Sequence, residues 1–119
     1  MKKQKRIHNK LVRDKIPEMI VANEQMPDFY IYPEQDYENE LILKLQEESG
    51  EYLESKNPEE LADVLEVLME LGRIRNIPFS EIEALRQKKF AERGGFSKRI
   101  FLVSVEEIQI KKDDINYSC

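Results

Sequence analysis

The chain has one cysteine, one histidine and no tryptophan in 119 residues. The single cysteine is Cys119, at the last position, so no disulfide framework can form within the chain, and a reducing compartment is expected. The lone histidine, His8, leaves no Cys/His metal-ligand set and no base for a Ser/His/Asp triad. There are four glycines and no phosphate-binding P-loop among them. No apolar run approaches the roughly 20 residues of a membrane span. The basic start, Met1 to Arg6, is followed by no apolar segment, so it does not read as a secretory signal. A soluble, cytoplasmic protein with no membrane partner is the expectation. The net charge of -5 weighs against a specific or general nucleic-acid partner.

What the chain does have is charge and helical patterning. Charged residues make up 36% and hydrophobic residues 40%. That balance suits helices with one wet face, and the length suits one domain over 1–119 with a modest core. The charge is uneven: residues 1–15 are basic, the middle is acidic, and Arg86 to Arg99 is basic again. A basic rim around an acidic centre suits a phosphorylated, metal-bound small molecule, with ordinary charge mixing as the alternative.

The stretch from Glu47 to Asp63 organises the rest. It carries two acidic pairs, Glu48/Glu51 and Glu60/Asp63, each spaced three residues apart and so on one helix face. Between them, Asn57-Pro58 reads as a helix start, with Asn57 as cap and Pro58 at the first helical position. Two helices joined by a tight turn would run antiparallel and face their acids toward each other. Four converging carboxylates repel unless a cation lies between them. Mg2+ is the common choice for an all-oxygen site, and Mn2+ can substitute.

Glutamates at helical spacing usually form a solvated face. Here, advancing about 100° per residue, Tyr37, Leu41, Leu45 and Tyr52 make an apolar stripe that contains Glu48 and is edged by Glu51. On the next helix Leu61, Val64, Val67, Leu68, Leu71 and Ile74 form an arc that contains Glu60 and borders Asp63. Charges on core faces are costly unless paired or metal-bound. Asn57-x-x-Glu60 also fits a capping box, which would account for Glu60 without any metal.

Taken in order, residues 1–8 read as a loose tail. A short helix to about Asn23 is capped by Asp14, and Lys10, Arg13 and Lys15 cluster before it, where cations at a helix start can hold phosphate. Helices are predicted from about Asp36 to Ser55 and from Pro58 to about Arg75. In the first of these, Gly50 costs roughly 1 kcal/mol of propensity and could permit a close approach. Ser80 is expected to cap a fourth helix, with Glu83 completing a box, and Gly94-Gly95 to end it. Residues 29–32 and 100–105 are extended by residue type and could pair into a small β-ribbon near the C-terminus. Residues 106–119 read as a tail or a subunit arm. The fold class is therefore mainly α: an antiparallel bundle of about four helices.

The sequence Glu47-Glu48-x-x-Glu51 followed by Glu60-x-x-Asp63 resembles the acidic signature of the MazG-like all-α nucleoside triphosphate pyrophosphohydrolases, a group that includes phosphoribosyl-ATP pyrophosphohydrolase. Lys89-Phe90-x-x-Arg93 is similar to that family's downstream element. Asn9-Lys10-Leu11-Val12-Arg13-Asp14-Lys15-Ile16-Pro17 resembles the opening of a phosphoribosyl-ATP pyrophosphohydrolase-like subgroup. The link at 52–59 is shorter than in many members, and Gln87 stands where many carry Asn.

The resemblance implies a helical homodimer or homotetramer that cleaves the α–β phosphoanhydride of a nucleotide to a monophosphate and pyrophosphate. It implies Glu48, Glu51, Glu60 and Asp63 as Mg2+ ligands. Glu47 would orient or deprotonate the attacking water, a role Glu48 could share. Lys89 and Arg93 would contact substrate phosphate, and Lys10 and Arg13 could join them. The contrasting expectation is a catalytically silent nucleotide-binding, regulatory or assembly protein on the same scaffold.

Overall fold

The computed structural model describes residues 4–108, in four helices: α1 (Ile16–Ala22), α2 (Glu34–Ser55), α3 (Pro58–Ile74) and α4 (Phe79–Arg93). The fold is mainly α. Its centre is the antiparallel pair α2–α3, and α4 packs on α3. Most of the tail expected at 106–119, with Cys119, lies outside the described residues.

Two residues reverse the chain between α2 and α3. Lys56 adopts the left-handed conformation (φ 56, ψ 20) and its amide donates to Tyr52 O at 2.9 Å, closing α2. Asn57 turns extended, and its side-chain oxygen accepts from the Glu59 amide at 3.0 Å, opening α3 with Pro58 in the first turn. That cap satisfies one of the amide groups every helix start leaves unpaired.

The core between these helices is small. Among the described residues only Leu41 and Val67 are buried apolar side chains. Polar bonds extend the seam: the Tyr37 hydroxyl donates to Glu70 Oε2 at 2.6 Å, and Arg73 pairs with the same carboxylate. Burial and the Glu70 bond together push the Tyr37 hydroxyl up to about 12. Arg75 clasps Glu38 at 2.6 Å near the far end of the pair.

Close approach occurs at Gly72 and not at Gly50. A Cβ at Gly72 would lie 2.8 Å from Ile82 Cδ1 on α4 and 2.9 Å from Ile77 O, whereas one at Gly50 would meet nothing within 4 Å. The α3–α4 turn needs that closeness, because the Ile77 amide donates to Gly72 O at 2.9 Å.

Several local expectations change. α4 begins one residue before Ser80, with Pro78 at the cap position and no side-chain cap, and Glu83 pairs with Arg86 instead of completing a box. Lys15, not Asp14, takes the cap position of α1. The expected β-ribbon does not form: among the described residues there is no strand, and 29–32 and 100–105 are unpaired coil. Tyr30 and Tyr32 stack on each other, centroids 6.0 Å apart, while Ile100 to Val105 stays largely exposed on its apolar side chains. No helix among the described residues is long and apolar enough to cross a membrane.

Candidate metal centre

The short reversal sets the register of the acids. Glu51 lies five residues before Lys56 and Glu60 three after Asn57, so at 1.5 Å per residue they stand at similar heights. Glu48 and Asp63 meet one turn further along. One carboxylate oxygen from each of Glu48, Glu60 and Asp63 lies within 4.8 Å of the other two.

Burial distinguishes this group from a solvated acidic face. Glu48 is only 8% exposed, the one charged residue among the described residues to be buried. Its Oε2, and Oε2 of Glu60, are both shut off from solvent and have no hydrogen-bond partner. A buried carboxylate oxygen without a partner carries its desolvation cost uncompensated. The Glu60 carboxyl is held above the usual range, by burial first, then by the charge of Glu51 and a hydrogen bond shared with it, and then by Asp63 and Glu48. The capping-box alternative for Glu60 does not hold, since Asn57 caps through the Glu59 amide and Glu60 Oε2 turns inward.

The donor set fits a hard divalent cation. Mg2+ takes oxygen ligands of this kind at about 2.1 Å and commonly keeps several waters beside one or two carboxylates. Glu51 is exposed and outside the close trio, though it stands beside Glu60.

Cations ring the acids. Lys10 Nζ donates to Glu47 Oε1 at 2.9 Å, and Lys44 Nζ to Glu47 Oε2 at 3.3 Å. Lys44 also lies 3.2 Å from Glu48 Oε1. Arg13 Nη2 donates to Asp63 Oδ1 at 2.6 Å. Burial works to raise the Glu47 carboxyl, but the bonds from Lys10 and Lys44 outweigh it and hold it below the usual range. The Glu47 bond in turn holds the Lys10 ammonium above its ordinary value.

Lys10 and Arg13 therefore reach the acids from a segment far away in sequence. Lys89 and Arg93 stand on the exposed second half of α4, each engaged with a neighbour. Lys44 is the residue that sequence reasoning missed. Its spacing was a usable signal, because it precedes Glu47 by three residues and Glu48 by four, the two offsets that meet on a helix.

No protein-family model, curated protein or solved structure matches this chain.

Proposed function

We propose that this protein is a Mg2+-dependent nucleotide pyrophosphohydrolase of the MazG-like kind, splitting the α–β phosphoanhydride of a nucleoside triphosphate or related nucleotide. The observation that carries the reading is the pair of buried, partnerless oxygens on Glu48 and Glu60, beside Asp63.

In this reading Glu48, Glu60 and Asp63 hold the cation, with Glu51 reaching in from the rim. Mg2+ held there would polarise the phosphoryl oxygen and lower the pKa of bound water. Glu47, kept ionised by its lysine partners, orients the attacking water and is placed to accept its proton. Lys89 and Arg93, four apart on one face of α4, meet the departing pyrophosphate. No side-chain nucleophile is required, because phosphoryl transfer depends mainly on positioning and charge neutralisation.

The protein would act in the cytoplasm as a homodimer or homotetramer. Leu61, Leu65 and Leu68 on α3 are 52%, 45% and 42% exposed, which is apolar surface a second copy could cover. A single-chain mass by sedimentation at micromolar concentration would remove the oligomer from the proposal.

A panel of nucleotides with Mg2+, read by pyrophosphate release, tests the activity. Asp63→Asn removes one charge at almost constant shape and should abolish release. Mg2+ should raise the Tm of the parent and hardly that of the variant, since only the parent gains binding free energy in the folded state. Equal stabilisation of both proteins, or undiminished turnover by the variant, would remove Asp63 from the proposed metal site.

A further inference from the structure

Lys10 and Arg13 belong to the coil before α1, yet each reaches a different helix of the central pair. Lys10 bonds Glu47 on α2, and Arg13 bonds Asp63 on α3. Three residues of extended chain span about 10 Å, enough to lie across both helices. Leu11, between them, is half-buried. Asn9 turns the chain with φ 46, and a cavity of about 150 Å3 remains between this segment and the Leu43–Glu47 stretch of α2.

The Arg13 contact falls on a carboxylate that the proposed metal site needs. Asp63 Oδ1 accepts the guanidinium at 2.6 Å. A divalent ion bound to the same carboxylate at about 2.1 Å would repel that guanidinium. Arg13 is also the easier of the two to displace, its side chain being 56% exposed. Exposed pairs of this kind contribute only about 0.2–1 kcal/mol. Its planar fork matches two oxygens of a phosphate as well as those of a carboxylate.

We infer that residues 9–13 form an exchangeable cation strap: Arg13 neutralises Asp63 while the site lacks a divalent ion, gives way when the ion enters, and then binds a phosphate group of the substrate. Lys10, on Glu47, keeps the strap docked during the exchange. The inference rests on the metal-site reading above, and adds to it an order of events: metal first, phosphate second. The incoming ligand is a polyphosphate anion, recognised only after the acids are neutralised.

The test uses Mn2+ alone, then Mn2+ with inorganic pyrophosphate, on the full chain. By titration calorimetry Arg13→Gln should bind Mn2+ about 1.4- to fivefold more tightly than the parent, the range expected from losing one exposed competing pair. Its affinity for pyrophosphate at saturating Mn2+ should fall. Arg13→Lys keeps the charge without the fork, so it should bind Mn2+ like the parent and pyrophosphate more weakly. Backbone exchange at residues 11–13 of the parent should accelerate with Mn2+ and slow again with pyrophosphate. Unchanged or weaker Mn2+ binding by Arg13→Gln, beside normal binding by the parent, overturns the strap and spares the metal site. A parent that binds no Mn2+ overturns both.

Discussion

Lys44 Nζ stands 3.2 Å from Glu48 Oε1, while the other oxygen of that carboxylate has no partner. Both side chains are mostly buried, 15% and 10% exposed. The lysine thus neutralises one side of Glu48 and leaves the other facing Glu60 and Asp63. The same ammonium holds Glu47, so one cation from α2 fixes two acids of its own helix.

Lys44→Met keeps the apolar stem and removes the charge. It should cost about 1–3 kcal/mol at neutral pH, the usual penalty for stranding a buried polar group. Mg2+ should recover part of that loss by supplying Glu48 with a new counter-charge. Urea midpoints with and without Mg2+ measure both effects, and an unchanged midpoint would show that water already serves Glu48.

Glu60 sets a pH dependence of definite sign. Its folded-state pKa lies above the ordinary value, so folding takes up a proton over that interval. Its contribution to stability is fully present below the unfolded pKa and is lost as pH rises through the folded one. Glu60→Gln should therefore match the parent near pH 4 and exceed it at pH 7.5 in metal-free buffer. Denaturation at the two pH values checks this; a constant gap between the proteins would mean that Glu60 does not titrate abnormally.

The two helical glycines should respond oppositely to alanine. Gly50→Ala should stabilise by roughly 1 kcal/mol, because it restores helix propensity and meets no neighbouring atom. Gly72→Ala should cost about 1–3 kcal/mol through overpacking against Ile82 and the Ile77 carbonyl. Thermal melts of the pair decide it, and a stabilising Gly72→Ala would mean that the α3–α4 turn opens readily.

The central hairpin was legible from residue type and spacing. Acids three apart on two stripes, with Asn57-Pro58 between them, sufficed to place α2 and α3 face to face. Of the four acids expected to converge in that register, Glu48, Glu60 and Asp63 do, and Glu51 stays exposed outside the trio. Less was legible where the outcome depended on distant partners. The Arg13–Asp63 and Lys10–Glu47 bonds join residues 50 and 37 apart, beyond any local periodicity. The capping box at Ser80 failed because α4 takes Pro78 as its cap, two residues earlier, which leaves Ser80 inside the first turn. The extended segments at 29–32 and 100–105 have strand-like composition, but composition cannot supply a pairing partner.

The reversal at Lys56 and Asn57 has a consequence for how this chain tolerates change in length. One residue inserted there would rotate α3 by about 100° and shift it by about 1.5 Å. Glu60 and Asp63 would swing off the seam together, and Val67 would leave the buried face at the same stroke. The number of residues in this reversal is therefore rigidly prescribed by the seam it serves.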